Sequence, residues 1–143
     1  NLGLESLHVR MARHCENGQA VAEFLASHPK IAYVNYCGLP GDKYHAVAEK
    51  YLPNGSCGVV SFGVKGGREA AAAFMGHLKI AAIETHVADA RTCCLHPASS
   101  THRQMNDEQL IAAGVQPDLV RMSCGLEDKN DLIHDIAQAL DQI

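Results

Sequence analysis

Residues 93–105, CCLHPASSTHRQM, set two adjacent cysteines beside a His-x5-His pair, in a chain with nine histidines and six cysteines. Such side chains serve metal binding, thiol chemistry or packing, and spacing helps to separate these roles. Zinc sites draw on close ligand pairs such as Cys-x2-Cys or His-x3-His. Cys93 and Cys94 are neighbours instead, so on a strand they point to opposite faces. His96 runs into Pro97, Ser99, Ser100 and Thr101, which offer hydroxyls for turns and caps rather than soft ligands. The expectation is no metal, but buried thiols on a strand followed by a loop. A thiol nucleophile would need Cys124 beside His86 or His96; a buried cysteine acting as a small apolar residue is the commoner case. GVKGGREA (63–70) opens a helix, whose N-terminus can bind anions. It matches neither Gly-x4-Gly-Lys-Ser/Thr nor Gly-x-Gly-x2-Gly, and a tight strand-to-helix turn accounts for its glycines. Arg121 lies inside the otherwise apolar DLVRMSCG (118–125). It is either an edge or solvent-facing position, or a guanidinium that needs an anion. In the second case its planar fork suits a carboxylate.

These residues must be held by elements, and the periodicity supplies them. Leu7, Met11, Cys15, Val21, Ala22 and Leu25, with His14 and Gly18 on the same stripe, predict one amphipathic helix over 4–27 that stops before Pro29. IAYVNYC (31–37) reads as a strand, GLPGD as a turn and KYHAVAEKYL (43–52) as a helix. SCGVVSFGV (56–64) is a strand, and KGG turns the chain into an alanine-rich helix over 68–77, glycine taking positive φ without steric cost. Segments 80–87 and 92–96 read as extended. Asn106 and Gln109 resemble a capping box for a helix over 107–113 that Gly114 ends. Segment 118–125 is a strand, and Leu132, Ile133, Ile136, Ala137 and Leu140 mark a last helix. The order is that of one α/β domain, a small sheet with helices packed on it.

Bulk properties narrow the classes. The 143 residues suffice for one domain with a core, and apolar and charged fractions of 47% and 20% are ordinary for a globular protein. A net charge of -4 without basic clusters argues against nucleic acid as a partner. No apolar run approaches a membrane span and no signal peptide is visible, so no membrane partner is expected. Free, mostly buried thiols point to a reducing, cytoplasmic compartment. A start at Asn1 that leads straight into a helical pattern suggests a piece of a longer protein.

Several long motifs, in order and spanning the chain, resemble the Cys/Met-metabolism family of pyridoxal-phosphate enzymes. GLESLHVRMARHCENGQAVAEFLASHP is similar to the family's long helix, with its Gly-Leu-Glu-Thr-Leu opening and Arg-x2-Arg-His-x2-Asn stretch. YCGLP stands where the family has Tyr-Pro-Gly-Leu, Cys37 replacing the proline. DARTCCLHPASSTHRQM resembles Asp-Ala-x-Thr-Leu-x-x-His-Pro-Ala-Ser-x-Thr-His, and LVRMSCGLED resembles Leu-Val-Arg-Leu-Ser-Val-Gly-Leu-Glu-Asp.

The resemblance implies that residues 1–143 are the C-terminal small domain of an aspartate-aminotransferase-like, fold type I enzyme, with a small, mostly antiparallel sheet. It implies pyridoxal phosphate in the full-length enzyme and none bound by this piece alone. The lysine that holds the cofactor would lie in a large N-terminal domain; Lys43, Lys50, Lys65, Lys79 and Lys129 match no such motif, so no catalytic residue is expected here. Arg121 matches the arginine that grips the substrate's α-carboxylate. His86-Val87-Ala88-Asp89 replaces Ser-Leu-Gly-Asp or Asn-Val-Gly-Asp, so His86 stands where a serine or asparagine lies near that carboxylate, either to donate a hydrogen bond or to pack. The loop looks most like the O-acetylhomoserine sulfhydrylase branch, which makes homocysteine from O-acetylhomoserine and sulfide; the γ-lyases and γ-synthases are the alternatives. Implied partners are the large domain, the amino-acid substrate and further copies, relatives being commonly tetrameric. From another class, the chain could be a non-catalytic α/β module that binds a partner through the exposed apolar side of its first helix.

Overall fold

The computed structural model describes all 143 residues. A short helix α1 (Leu2–Glu5) leads through Ser6 into α2 (Leu7–Ser27), followed by β1 (Ile31–Asn35), α3 (His45–Tyr51) and β2 (Val59–Val64). Then come α4 (Gly67–His77), β3 (Ala82–Ile83), β4 (Cys93–Leu95), a 3-10 turn (Pro97–Ser99), α5 (Asp107–Ala112), β5 (Leu119–Ser123) and α6 (Lys129–Asp141). The strands form one sheet in the order β1-β2-β5-β4-β3. All neighbours are antiparallel except β3 and β4, which pair in parallel through Ala82–Cys93 and Ile83–Cys94.

Alternation along the strands divides the sheet into two faces. Val60, Phe62, Val64, Val120, Met122 and Cys94 pack with Val21, Ala22 and Leu25 of α2, Phe74 of α4, and Leu132, Ile136 and Leu140 of α6. Phe62 and Phe74 meet edge to face, with centroids 5.8 Å apart. Alpha-helices therefore cover one face. The other carries Ser61, Leu95 and Arg121, and is overlaid by loops. The register explains the row: Arg121 pairs with Ser61 on one side and Leu95 on the other.

The long helix differs from its predicted span. It breaks at Ser6 (φ -106°, ψ 4°), and its buried face starts at His14, continuing through Asn17, Gly18, Val21, Ala22 and Leu25. Leu7 is exposed and Met11 and Cys15 are half-buried, because the sheet underlies only the later turns. At Gly18 a Cβ would come within 2.5 Å of the Cys57 carbonyl oxygen, so the helix lies on the chain leading into β2 because this position has no side chain. The 56–64 strand is shorter than expected, and 80–87 contributes only two paired residues. Gly66 and Gly67 take φ of 107° and 75°, making the expected turn into α4. No helix is long and apolar enough to cross a membrane.

Candidate functional site

Arg121 lies on β5, between β2 and β4, so the edge-strand reading fails. Its residue is half-buried on the face without α-helices. Arg121 Nη2 donates to the Thr85 carbonyl at 2.8 Å. Its Nε–H is buried without an acceptor. The guanidinium borders an open hollow of about 500 Å³, with Ser61, Thr85, Leu95, Thr101, His102 and Leu119 among its walls. No Asp or Glu lines it, so Arg121, whose buried Nε–H is unpaired, borders a space free of carboxylates. A guanidinium with an orphaned N–H calls for an anion, and a planar two-oxygen anion fits it best.

The segments that precede β4 and follow β5 are tied together and to α2. Glu127 accepts from the Thr92 amide (2.7 Å) and hydroxyl (2.8 Å), and that hydroxyl accepts from the Gly125 amide at 2.8 Å. Asn17 Nδ2 donates to the Gly125 and Glu127 carbonyls at 2.9 and 2.8 Å. His14 Nδ1 lies 2.7 Å from the Cys124 carbonyl. A carbonyl only accepts, so His14 Nδ1 donates, and its buried Nε2 has no partner. The Arg-His-x2-Asn motif thus clamps the segment that follows β5. On the loop side, the Ala88 amide donates to Ser123 Oγ at 2.9 Å, which draws 84–91 over the sheet. Ala88 sits at φ 57°, the one non-glycine residue with positive φ.

His86 does not line the Arg121 hollow. Its side chain is 63% exposed and Nδ1 lies 2.8 Å from a Glu84 carboxylate oxygen. His96 is buried. Its Nε2 lies 2.8 Å from the Pro117 carbonyl and its Nδ1 2.9 Å from Ser99 Oγ, so Nε2 donates and Nδ1 accepts. Burial holds its pKa below the ordinary imidazole value, with Arg68 adding to the effect against the Pro117 bond and Asp118.

Neither histidine activates Cys124. That residue is fully buried, and burial, aided by Glu127 and Cys57, pushes its thiol up to about 12. Cys94, also fully buried, is raised well above the usual thiol value by desolvation. Both are packing residues. Cys93 points to the opposite face, as adjacency required. There it meets Glu84 and His86, the three ligand atoms lying within 4.8 Å of one another. Cysteine spacing gave no warning of this group, because two of its members come from the loop. The usable signal was Glu84-x-His86, two residues that share one side of an extended segment paired with the strand of Cys93.

The lysines all point elsewhere. Lys30 donates to the Leu140 and Ile143 carbonyls, Lys65 to that of Pro29 and Lys129 to Glu16; Lys43 and Lys50 lie over Tyr44 and Tyr51. None lines the Arg121 hollow. A second hollow of about 580 Å³ beside α2 and α3 includes Cys15, Cys37, His45 and Glu49. Its His45 is engaged by the Cys37 carbonyl and Glu49, which leaves no free cation comparable to Arg121.

The chain is similar to known proteins in sequence and fold. The chain is 45% identical over 142 residues to an O-acetyl-L-homoserine sulfhydrylase of Leptospira meyeri, covering 99% of this chain and 32% of that protein. It is 40% identical over 141 residues to an L-methionine gamma-lyase of Fusobacterium nucleatum subsp. polymorphum, covering 99% of this chain and 35% of that one. Its fold matches the crystal structure of a Campylobacter jejuni protein assigned as an O-acetylhomoserine (thiol)-lyase, which carries a pyridoxyl-lysine, with a TM-score of 0.90 and 38% identity over 98% of this chain and 33% of that one. The chain spans about a third of the length of these relatives. The family model for Cys/Met metabolism PLP-dependent enzymes matches residues 1–141. With the small-domain fold and five-stranded sheet in place, this chain belongs to that family.

Proposed function

We propose that residues 1–143 form the C-terminal small domain of a pyridoxal-phosphate enzyme that makes homocysteine from O-acetylhomoserine and sulfide, and that Arg121 binds the substrate's α-carboxylate. The observation that carries this reading is the guanidinium at the hollow, with a buried Nε–H that has no acceptor. The hollow's lysine-free lining means that this chain offers the cofactor no covalent anchor there; its residues fit the substrate end of the site. The cofactor, held by the rest of the enzyme, withdraws electrons from the substrate's α carbon.

Arg121 contributes position. Its fork fixes the two carboxylate oxygens, which limits rotation about the bond to the α carbon and keeps one C–H aligned. The Thr85 carbonyl holds the guanidinium through Nη2, and Nε–H has no acceptor within the chain. In the overall replacement the γ carbon loses its bond to oxygen, acetate departs, and a carbon–sulfur bond forms. His86 takes a lesser part: from its place against Glu84 it adds a second donor only by turning toward the hollow.

The decisive assay uses the native-length protein. The expected outcome is visible cofactor absorbance and homocysteine formation that requires both O-acetylhomoserine and sulfide. Ketoacid and ammonia from methionine alone would favour the γ-lyase reading, which the 40% identity to a methionine gamma-lyase keeps in view. A protein that binds no cofactor would instead support a non-catalytic interaction module.

A further inference from the structure

Next to the Arg121 row, on the same face of the sheet, a group of side chains has no part in gripping a carboxylate. Cys93 pairs across β5 with Ser123, one two-residue step along from the Leu95–Arg121 pair. A carboxylate oxygen of Glu84, a ring nitrogen of His86 and Sγ of Cys93 lie within 4.8 Å of one another. Three features bring them together. The parallel pairing of β3 with β4 sets the chain after Ile83 alongside the strand of Cys93. The Glu84 amide then donates to the Cys94 carbonyl at 3.1 Å, which continues that alignment. Glu84 and His86, two residues apart on extended backbone, reach the same side. From this geometry we infer that Glu84, His86 and Cys93 form a binding site for a zinc-type divalent cation, with three protein ligands and one open position.

The ligand set selects the ion class. A thiolate with an imidazole and a carboxylate suits borderline-soft ions such as zinc, and excludes calcium and magnesium, which prefer oxygen throughout. One thiolate and one carboxylate also neutralise a doubly charged ion. Acidic neighbours add to the attraction. Besides burial, Asp89, Glu84 and Glu127 raise the Cys93 thiol while Arg91 opposes them, the mark of a net negative field at the sulfur. Binding an ion there releases the thiol proton.

The required rearrangement is small. Tetrahedral zinc with bonds of about 2.0–2.1 Å to nitrogen and oxygen and 2.3 Å to sulfur sets its ligand atoms about 3.4–3.5 Å apart. The Glu84–His86 contact, now 2.8 Å, opens by roughly 0.6 Å on that geometry, and the sulfur closes by about 1.3 Å at most. Glu84 and His86 are exposed and free to turn, while Cys93 is 2% exposed and anchored in its strand. An ion at this point fastens the 84–93 loop to β4 and keeps His86 away from the Arg121 hollow.

The test uses the native-length protein, freed of metal and dialysed against zinc alone. The expected result is one zinc per chain and an X-ray absorption spectrum with a single sulfur at about 2.3 Å. Loss of even an outer-shell partner weakens metal sites by about 10–100-fold, so Cys93→Ser and His86→Gln should each weaken zinc binding by at least roughly tenfold. Zinc should raise the thermal midpoint of the wild type and not of these variants. His86 is exposed, so His86→Gln still reports if Cys93→Ser fails to fold. No stoichiometric zinc, two or more sulfurs around it, or binding undiminished in His86→Gln would overturn the site. These readouts do not depend on which amino acid the enzyme converts, so the proposal stands or falls apart from the sulfhydrylase reading.

Discussion

Arg121→Ala removes a positive fork from a hollow that no other arginine and no lysine lines. Losing one partner of a desolvated charge pair costs about 2–5 kcal/mol, so kcat/KM of the native-length enzyme should fall by roughly 30-fold or more, with bound cofactor little changed. Arg121→Lys should restore only part of this, since an ammonium cannot present two parallel donors. Unchanged kcat/KM in the alanine variant would remove the carboxylate assignment. Ala88 offers a test of strain. Ala88 sits at φ 57°, and left-handed backbone costs a residue with a Cβ about 1–2 kcal/mol. Ala88→Gly, after glycine's larger unfolded entropy, should stabilise by about 0.5–1 kcal/mol in chemical denaturation. His96 sets a pH dependence. Its folded pKa lies below the unfolded value, so the unfolded chain binds the proton more tightly. The stability this contributes is complete above an ordinary imidazole pKa of about 6.5 and is lost as pH falls from there through the lower folded pKa. Thermal midpoints should drop over that window, and His96→Gln should flatten that part of the profile.

At the scale of elements, the link between α4 and β3 depends on a carboxylate in α6. Asp135, 4% exposed, accepts from the amides of Lys79 (2.8 Å), Ile80 (2.9 Å) and Ala81 (3.1 Å). Asp135→Ala strands three donors at a point with little water access. Each unmet buried group costs about 1–3 kcal/mol, so a loss of about 3 kcal/mol or more is expected in denaturant unfolding, with exchange of these amides accelerated first. The α2 contact makes the opposite demand. Gly18→Ala improves helix propensity, yet its Cβ would meet the Cys57 carbonyl at 2.5 Å. Overpacking of this kind costs about 1–3 kcal/mol, so the variant should unfold earlier despite the better helix former.

For the whole molecule, the opening helices are the feature a small domain leaves unexplained. Leu2, Leu4 and Val9 are 82%, 68% and 61% exposed, before α2 reaches the sheet at His14. An N-terminal large domain of the proposed enzyme would cover such a surface. The 143-residue chain prepared alone should therefore associate with rising concentration in sedimentation, and Leu4→Glu with Val9→Glu should reduce that association. Association unaffected by both charges would place the contact elsewhere.

The local elements were legible because each rests on short-range chemistry. The Asn106–Gln109 box closes with amide bonds of 2.9 and 3.0 Å, and Gly114 takes φ 80° just past α5. The order of strands and helices followed from periodicity, and the family from motifs such as DARTCCLHPASSTH and LVRMSCGLED. Arg121 stood out as a charge in an apolar strand before any partner was visible. What tertiary structure decided is where long-range pairing places these parts. Periodicity could not tell that β5 would be central, that Arg121 would face the side without α-helices, or that the first turns of α2 would extend past the sheet. Nor could it bring Glu84 and His86 to Cys93, since that meeting depends on the parallel β3–β4 register. Sequence determines local backbone preference through nearby atoms; pairing between distant segments depends on the packing of the whole chain.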